Sequence, residues 1–303
     1  MTLRTLLVCL SLLLLASCAQ NPSRNWELPA GAKVLHVNGY DMAFVERGVG
    51  TPIVLIHGAL SDFRYFAGAM EALSANHRVI AVSLRHYYPE PWKGDGGSFS
   101  RRQHVSDIAG FIRALNAGPV HLFGHSRGGS LVLYFASQHP DLIRSLGVGE
   151  GGSNMPAFET EGPTALAAGA KARQRARNAL ALFEQGKLEE GLTYFVNDVS
   201  GPGAWDAASE ANRQMYRANA WTLKGTTQDI FDPYSCADAG RIRVPVLLVT
   251  GEKTAPLFKN ITAAIQACLK RSERAVVVNG SHSFPRQNPR GFSEALLAFI
   301  SRH

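Results

Sequence analysis

Along the 303-residue chain, the spacing of apolar and polar positions predicts strands that alternate with helices. The first pattern, "KVLHVNGYDMAFVERG", alternates around an Asn-Gly dipeptide at 38–39 and predicts a β-hairpin. The unbroken apolar run Ile53–Ile56 is typical of a strand buried on both faces. Helices are expected from about Phe63 to Leu73 and from Arg102 to Leu115, with the strand "RVIAVSL" between them.

The alternation continues towards the C-terminus. A strand "VHLFG" precedes a helix from Arg127, which must end by His139 because Pro140 cannot continue it. A strand "SLGVGEGG" follows, and two late strands, "VPVLLVT" and "AVVVNG", are separated by a helix. A last helix is expected over Gly291–Ile300. This order predicts an α/β fold with a mostly parallel central sheet covered by helices on both faces.

The stretch between Glu150 and Val244 has no pattern of a buried strand and is far longer than ordinary α/β connections. We expect an inserted helical lid at about 153–238. Within it, Pro163 and Gly186 bracket one helix, and Ala204–Lys224 suggests another. The apolar and aromatic lid residues that could form its core or line a pocket are Phe183, Phe195, Met215, Tyr216 and Trp221.

The first residues, "MTLRTLLVCLSLLLLASCAQ", place one arginine before an apolar stretch that is too short to span a bilayer, as in an export signal. The stretch ends in Leu-Ala-Ser-Cys, which resembles the lipobox of bacterial lipoproteins and implies acylation of Cys18. The expected organisation is a signal peptide (1–17), an anchor cysteine and tether (18–32) and one α/β domain with the lid insertion (33–303). The product would face the periplasm on a lipid anchor. The alternative is an ordinary cleavage site and a soluble periplasmic or secreted protein.

Composition is ordinary for a globular protein, with 46% hydrophobic and 18% charged residues. The net charge of +7 does not indicate nucleic-acid binding in an exported chain, and the densest basic stretch, Lys171–Arg177, spreads its charges around a helix. Cys236 and Cys268 can form a disulfide or stay free thiols. No Cys/His spacing predicts a zinc site, and we expect neither a metal nor a cofactor.

The candidate catalytic motif lies in the segment "HLFGHSRGGS". It places Gly124-His125-Ser126-Arg127-Gly128 between an apolar strand and a helix. Small residues on both sides of a serine permit the strained turn that lifts its hydroxyl above the sheet, so Ser126 is the candidate nucleophile.

On this motif and this order of elements the chain resembles the α/β-hydrolases from about Lys33 to His303. The resemblance places an oxyanion loop at "HGAL" after "IVLI" and implies two backbone N–H donors, on Ala59 and Arg127. It gives His57 a structural role. His282, in "NGSHSF" after the last predicted strand, has the family's usual position for the general base.

The third member of the implied triad is an acid. The loop "LLVTGEKTAP" offers only Glu252, whereas the family's usual aspartate would fall at Lys253 or Thr254. Glu150, at the end of "SLGVGEGG", is favoured instead, because certain haloalkane dehalogenases resemble this arrangement and keep their acid on that earlier strand. The remaining alternatives are lid aspartates such as Asp229, Asp232 and Asp238.

The expected function is hydrolysis of a carboxylic ester or related acyl bond in a small-molecule substrate, through an acyl-enzyme on Ser126. A serine speaks against haloalkane dehalogenase and epoxide hydrolase chemistry, which uses a carboxylate nucleophile. Thioesterase, C–C bond hydrolase and cofactor-free perhydrolase activities remain open, since lid residues decide the substrate. A non-catalytic hydrolase-like binding protein is the alternative from another class.

Overall fold

The computed structural model describes residues 25–151, 163–229 and 234–303, with the side chains of 163–169 outside the description. The predicted signal peptide and Cys18 therefore lie outside the described residues, as does Asp232.

Eight strands form one sheet in the described part of the chain. They are β1 (Lys33–Val37), β2 (Tyr40–Arg47), β3 (Pro52–Ile56), β4 (Arg78–Val82), β5 (Val120–His125), β6 (Ile143–Gly149), β7 (Val246–Gly251) and β8 (Ser272–Val277). Their order is β1-β2-β4-β3-β5-β6-β7-β8. The pairs β1–β2 and β2–β4 are antiparallel, and all others are parallel. The mostly parallel sheet expected from the sequence is thus confirmed.

Helices follow or precede most strands. In the described ranges they are α1 (Ala67–Leu73), α2 (Arg101–Leu115), α3 (Arg127–Gln138), α4 (Pro163–Glu184), α5 (Leu188–Ser200), α6 (Glu210–Ala218), α7 (Thr222–Gln228), α8 (Cys236–Ala239), α9 (Pro256–Cys268), α10 (Phe284–Gln287) and α11 (Pro289–Ile300). Short 3₁₀ turns cover Phe63–Phe66 and Pro140–Leu142. Between β6 and β7 the described residues contain helices α4–α8 and no strand.

Alternate residues of the central strands enter two cores, one on each face of the sheet. On β3, Val54 and Ile56 pack into a core that includes residues of α2 and α3. Ile53 and Leu55 enter a second core with residues of α1 and α11. All four are fully buried. Burial on both faces is why this strand reads as an unbroken apolar run.

Three expected elements have different bounds. The helix expected from Phe63 starts as a 3₁₀ turn. β8 ends at Val277 because the backbone turns at Asn279, whose φ is 60°. The single helix expected over Ala204–Lys224 is wrong, since α6 and α7 are separated near Asn219. The side chain of Asn219 accepts a hydrogen bond from Tyr88 N–H and donates one to Asp62, which fixes the break.

Cys236 and Cys268 form a disulfide that joins α8 to α9, which resolves the two alternatives left open by the sequence. Within the described ranges, no helix is long and apolar enough to cross a membrane.

Candidate active site

Ser126 lies at the sharp turn between β5 and α3, with φ 54° and ψ −117°. The flanking glycines allow this turn. A Cβ at Gly124 would lie 2.3 Å from the carbonyl oxygen of Gly128, and a Cβ at Gly128 would lie 2.4 Å from that of Ile56. The backbone N–H of Ser126 donates to Gly149 O at 2.7 Å. The turn therefore packs directly onto β3 and β6, and a serine held in a positive-φ conformation projects its hydroxyl above the sheet.

His282 lies in the loop after β8 and contacts both the serine and an acid. Its Nε2 lies 3.0 Å from Ser126 Oγ, and its Nδ1 lies 2.5 Å from Glu150 Oε2. Because a carboxylate only accepts, Nδ1 carries the proton in this network and Nε2 is free to accept from the serine hydroxyl. Phe258 stacks on the imidazole with ring centroids 4.0 Å apart, which fixes the plane of the ring.

Glu150 directly follows β6 and is 1% exposed. Its carboxylate accepts from the backbone N–H of Gly251 at 2.8 Å and from Thr254 Oγ1 at 2.9 Å, in addition to His282. Its φ is 48°, so the chain turns sharply where the strand ends. Thr254, at one of the two positions where an aspartate was expected, thus binds the glutamate that reaches across from the neighbouring strand.

The other candidate acids that the structure describes have different partners. Glu252 accepts from the backbone N–H of Asn279 at 2.8 Å and is exposed. Asp229 is buried and pairs with the guanidinium of Arg127, with N and O 3.2 Å apart. Asp238 forms a capping box with Ser235 at the start of α8.

The loop after β3 approaches the serine from the other side. A Cβ at Gly58 would lie 3.0 Å from Ser126 Cβ, so this loop passes close to the Ser126 side chain. The next residue, Ala59, lines the same cavity as Ser126 and Arg127. In the described part of the chain, neither the N–H of Ala59 nor that of Arg127 donates to a protein acceptor. Both donors are free for an oxygen bound beside Ser126.

Two buried histidines hold the loops after β3 and β8 in place through hydrogen bonds. His57 Nε2 accepts from Leu84 N–H at 3.1 Å, while its Nδ1–H donates to Gly58 O at 2.8 Å, and burial lowers its pKa to about 4. His125 Nε2–H donates to the carbonyl oxygen of His282 at 2.8 Å, and its pKa is held well below the ordinary range by burial first and by His282 second. Both are neutral at pH 7 and act as structural donors and acceptors rather than as acids.

A cavity with a volume of about 80 Å³ lies above Ser126. Helices α4–α7 contribute much of its wall, through Ala172, Arg175, Phe195, Val196, Val199, Ser200, Tyr216 and Thr226. Of the five lid residues singled out in the sequence, Phe195 and Tyr216 line this cavity, Phe183 and Met215 are buried in the core, and Trp221 is 40% exposed. No group of potential metal ligands occurs among the described residues.

Two side chains at the candidate site have no functional assignment from the sequence. Thr254 enters there only as one of the two positions of the family's usual aspartate, and its hydroxyl binds Glu150 instead. Arg175 belongs to the basic stretch Lys171–Arg177, yet it is 9% exposed and lines the cavity. Its position between Arg173 and Arg177 gave no local sign of burial.

The fold and this arrangement define a hydrolase of the α/β class. Residues 53–295 match the model of the alpha/beta hydrolase family, and the chain belongs to that family. It is 28% identical over 243 residues to a pimeloyl-[acyl-carrier protein] methyl ester esterase of Neisseria meningitidis serogroup B, covering 76% of this chain and 85% of that protein. It is 33% identical over 112 residues to a soluble epoxide hydrolase of Corynebacterium sp., covering 36% of this chain and 38% of that protein. A thermophilic esterase from Thermogutta terrifontis superposes with a TM-score of 0.72 at 18% identity, over 90% of this chain and 99% of that one.

Proposed function

We propose that this protein hydrolyses carboxylic esters through an acyl-enzyme intermediate on Ser126. The observation that supports this best is the continuous hydrogen-bond chain from Ser126 through His282 to Glu150, at 3.0 Å and 2.5 Å, on the floor of a cavity. A serine hydroxyl becomes an effective nucleophile when a neutral imidazole accepts its proton, and a carboxylate stabilises the imidazolium that results.

In the proposed cycle, Ser126 Oγ attacks the ester carbonyl while His282 Nε2 takes the hydroxyl proton. The oxyanion accepts hydrogen bonds from the N–H groups of Ala59 and Arg127. Loss of one such donor typically costs about 2.7–4 kcal/mol of transition-state stabilisation. His282 then protonates the leaving alcohol. A water activated by the same nitrogen attacks the acyl-enzyme and releases the acid.

The test is turnover of a panel of 4-nitrophenyl esters from acetyl to dodecanoyl, with an acyl thioester included to compare the second acyl chemistry that the same residues could support. Ser126→Ala should lower kcat/KM by at least about 10³-fold without a large change in Tm. Ser137→Ala, on the same helix but outside the cavity, is the matched control and should retain wild-type turnover. An Ser126→Ala protein that keeps more than a few per cent of activity would refute the assignment.

We further propose that Cys18 carries the lipid that anchors the mature domain to the bacterial envelope. The lipobox-like Leu-Ala-Ser-Cys supports this, and the disulfide between Cys236 and Cys268 fits an oxidising compartment. The full-length product should fractionate with membranes, and Cys18→Ser should abolish lipid labelling while Cys9→Ser does not. Recovery of the wild type entirely in the soluble periplasmic fraction would contradict the anchor.

A further inference from the structure

Arg175 is a buried cation in the wall of the cavity above Ser126. It lies on α4 and is 9% exposed, whereas its neighbour Arg177 is exposed. Burying an arginine removes it from water, and the cost is recovered only when its donors find acceptors. Because Arg175 lines the cavity beside Ser126, a ligand bound there can supply acceptors to the donors that the protein leaves unpaired.

The protein satisfies only one side of this guanidinium. Asp198, on α5, accepts from Nε at 2.5 Å, and its side chain is 31% exposed. In the described ranges, neither terminal nitrogen of Arg175 donates to a protein acceptor, and neither is fully buried. Asp198 thus fixes the plane of the group and leaves two parallel N–H donors available. That fork matches the two oxygens of a carboxylate.

The charged side chains that line the cavity are cationic, and their paired aspartates, Asp198 and Asp229, lie outside the described lining. Its described lining residues include two arginines and no aspartate or glutamate. The guanidinium of Arg127 is turned away, towards Asp229 and His104. Among the described lining residues, Arg175 is therefore the cation that a ligand in this cavity can engage, and Phe195, Val196 and Val199 line the same cavity. Such a wall would bind a short hydrocarbon spacer between the arginine and the reacting carbonyl.

We propose that Arg175 binds an ionised carboxylate of the substrate, so that the preferred substrates are esters carrying a second, free carboxylate a few carbons from the scissile bond. This inference rests on the proposed ester hydrolysis at Ser126. It adds the substrate class: half-esters of short dicarboxylic acids, or esters of short hydroxy acids. Arg175 is a specificity-determining residue and takes no part in proton transfer.

The test compares substrates that differ only in charge. The monomethyl esters of succinic, glutaric and adipic acid are each paired with the methyl ester of the corresponding monoamide, which has the same shape without the charge. Acetate esters of short hydroxy acids, with their amides, cover the other position of the carboxylate. The wild type should favour the charged member of the best pair by about 10- to 100-fold in kcat/KM, as expected for a charge-assisted bidentate contact.

Three variants separate this role from a structural one. Arg175→Met should abolish the preference, because KM for the charged ester rises about 10- to 100-fold more than KM for the amide ester. Arg175→Lys should restore part of the preference, because it keeps the charge without the fork. Arg177→Met, on the exposed face of the same helix, should behave as wild type.

Binding without turnover gives an independent readout. Calorimetry of adipate with Ser126→Ala should show an affinity that is lost in the Ser126→Ala/Arg175→Met double variant. If the wild type hydrolyses both members of every pair equally, or if Arg175→Met slows both equally, the inference is overturned and the ester hydrolase remains. If no ester is hydrolysed but adipate binding depends on Arg175, the proposed reaction fails and the anion site stands.

Discussion

Replacing Glu150 with glutamine tests whether Glu150, rather than Glu252, is the acid that supports His282. The carboxylate accepts three hydrogen bonds, from Gly251 N–H, Thr254 Oγ1 and His282 Nδ1. An amide can present its oxygen to only one side. If the oxygen faces Gly251, the NH₂ group faces His282 Nδ1, which must then give up its proton and become an acceptor. The proton moves to Nε2, and the imidazole can no longer accept from Ser126.

The opposite orientation of the amide is no better. With its oxygen towards His282, the NH₂ group meets the N–H of Gly251, and two buried donors face each other. An unsatisfied buried donor costs about 1–3 kcal/mol, which disfavours this arrangement. Either way the charge that stabilises the imidazolium is gone. We therefore expect kcat to fall by about 10²–10⁴-fold, which corresponds to about 3–5 kcal/mol of activation free energy.

The assay is steady-state hydrolysis of the best ester in the panel, with Ser126→Ala as the floor and Tm as a check on folding. Glu252→Gln is the matched control, because among the described residues this exposed carboxylate accepts from Asn279 N–H and does not contact Ser126 or His282. It should keep kcat within about threefold of wild type. A larger loss in Glu252→Gln than in Glu150→Gln would refute the reasoning.

Further predictions follow from the same contacts. Thr254→Val should lower kcat about tenfold by removing one hydrogen bond to Glu150, and Thr254→Ser should restore it, as measured by the same assay; equal activity of the two variants would contradict a role for the hydroxyl. Burial lowers the pKa of His57 from 6.5 to about 4, so its contribution to stability is present above pH 6.5 and is lost as the pH falls towards 4, at up to about 1.4 kcal/mol per pH unit. Denaturant unfolding between pH 7 and 4 measures this loss. An unchanged free energy of unfolding over that range would be the contrary result. Cys268→Ser, paired with Cys236→Ser to leave no free thiol, should reduce the free energy of unfolding by about 4 kcal/mol for a loop of 32 residues, and an unchanged denaturation midpoint would argue against the disulfide.

The sheet could be predicted because its strands carry local signals. Burial on both faces makes β3 an unbroken apolar run, and the turn between β1 and β2 falls at the Asn-Gly dipeptide. The break between α6 and α7 has no such signal. It depends on Asn219 contacting Asp62, 157 residues away in the chain, and such a contact exists only in the folded protein.

The residues of the candidate site also fall into those that the sequence indicates and those that it does not. Ser126 and His282 occupy positions set by the order of elements, and Glu150 follows from adjacency of two strand ends. Thr254 and Arg175 acquire their partners only when distant segments meet, since 104 positions separate Thr254 from Glu150. A threonine in a loop and an arginine in a basic helix have no local pattern that distinguishes them from solvent-exposed residues.

The hydrogen bond from His125 to the carbonyl oxygen of His282 couples two segments that lie 157 positions apart. His125 also stacks against Tyr65, with ring centroids 5.0 Å apart, so the imidazole is held from both sides. Opening the loop after β8 would strip a buried donor of its acceptor, and such a loop unfolds together with the strand that holds it rather than alone. The backbone amides around His282 should therefore exchange with solvent as slowly as those of β5. The same coupling fixes the position of the His282 loop relative to the end of β5, where Ser126 lies 3.0 Å from His282 Nε2.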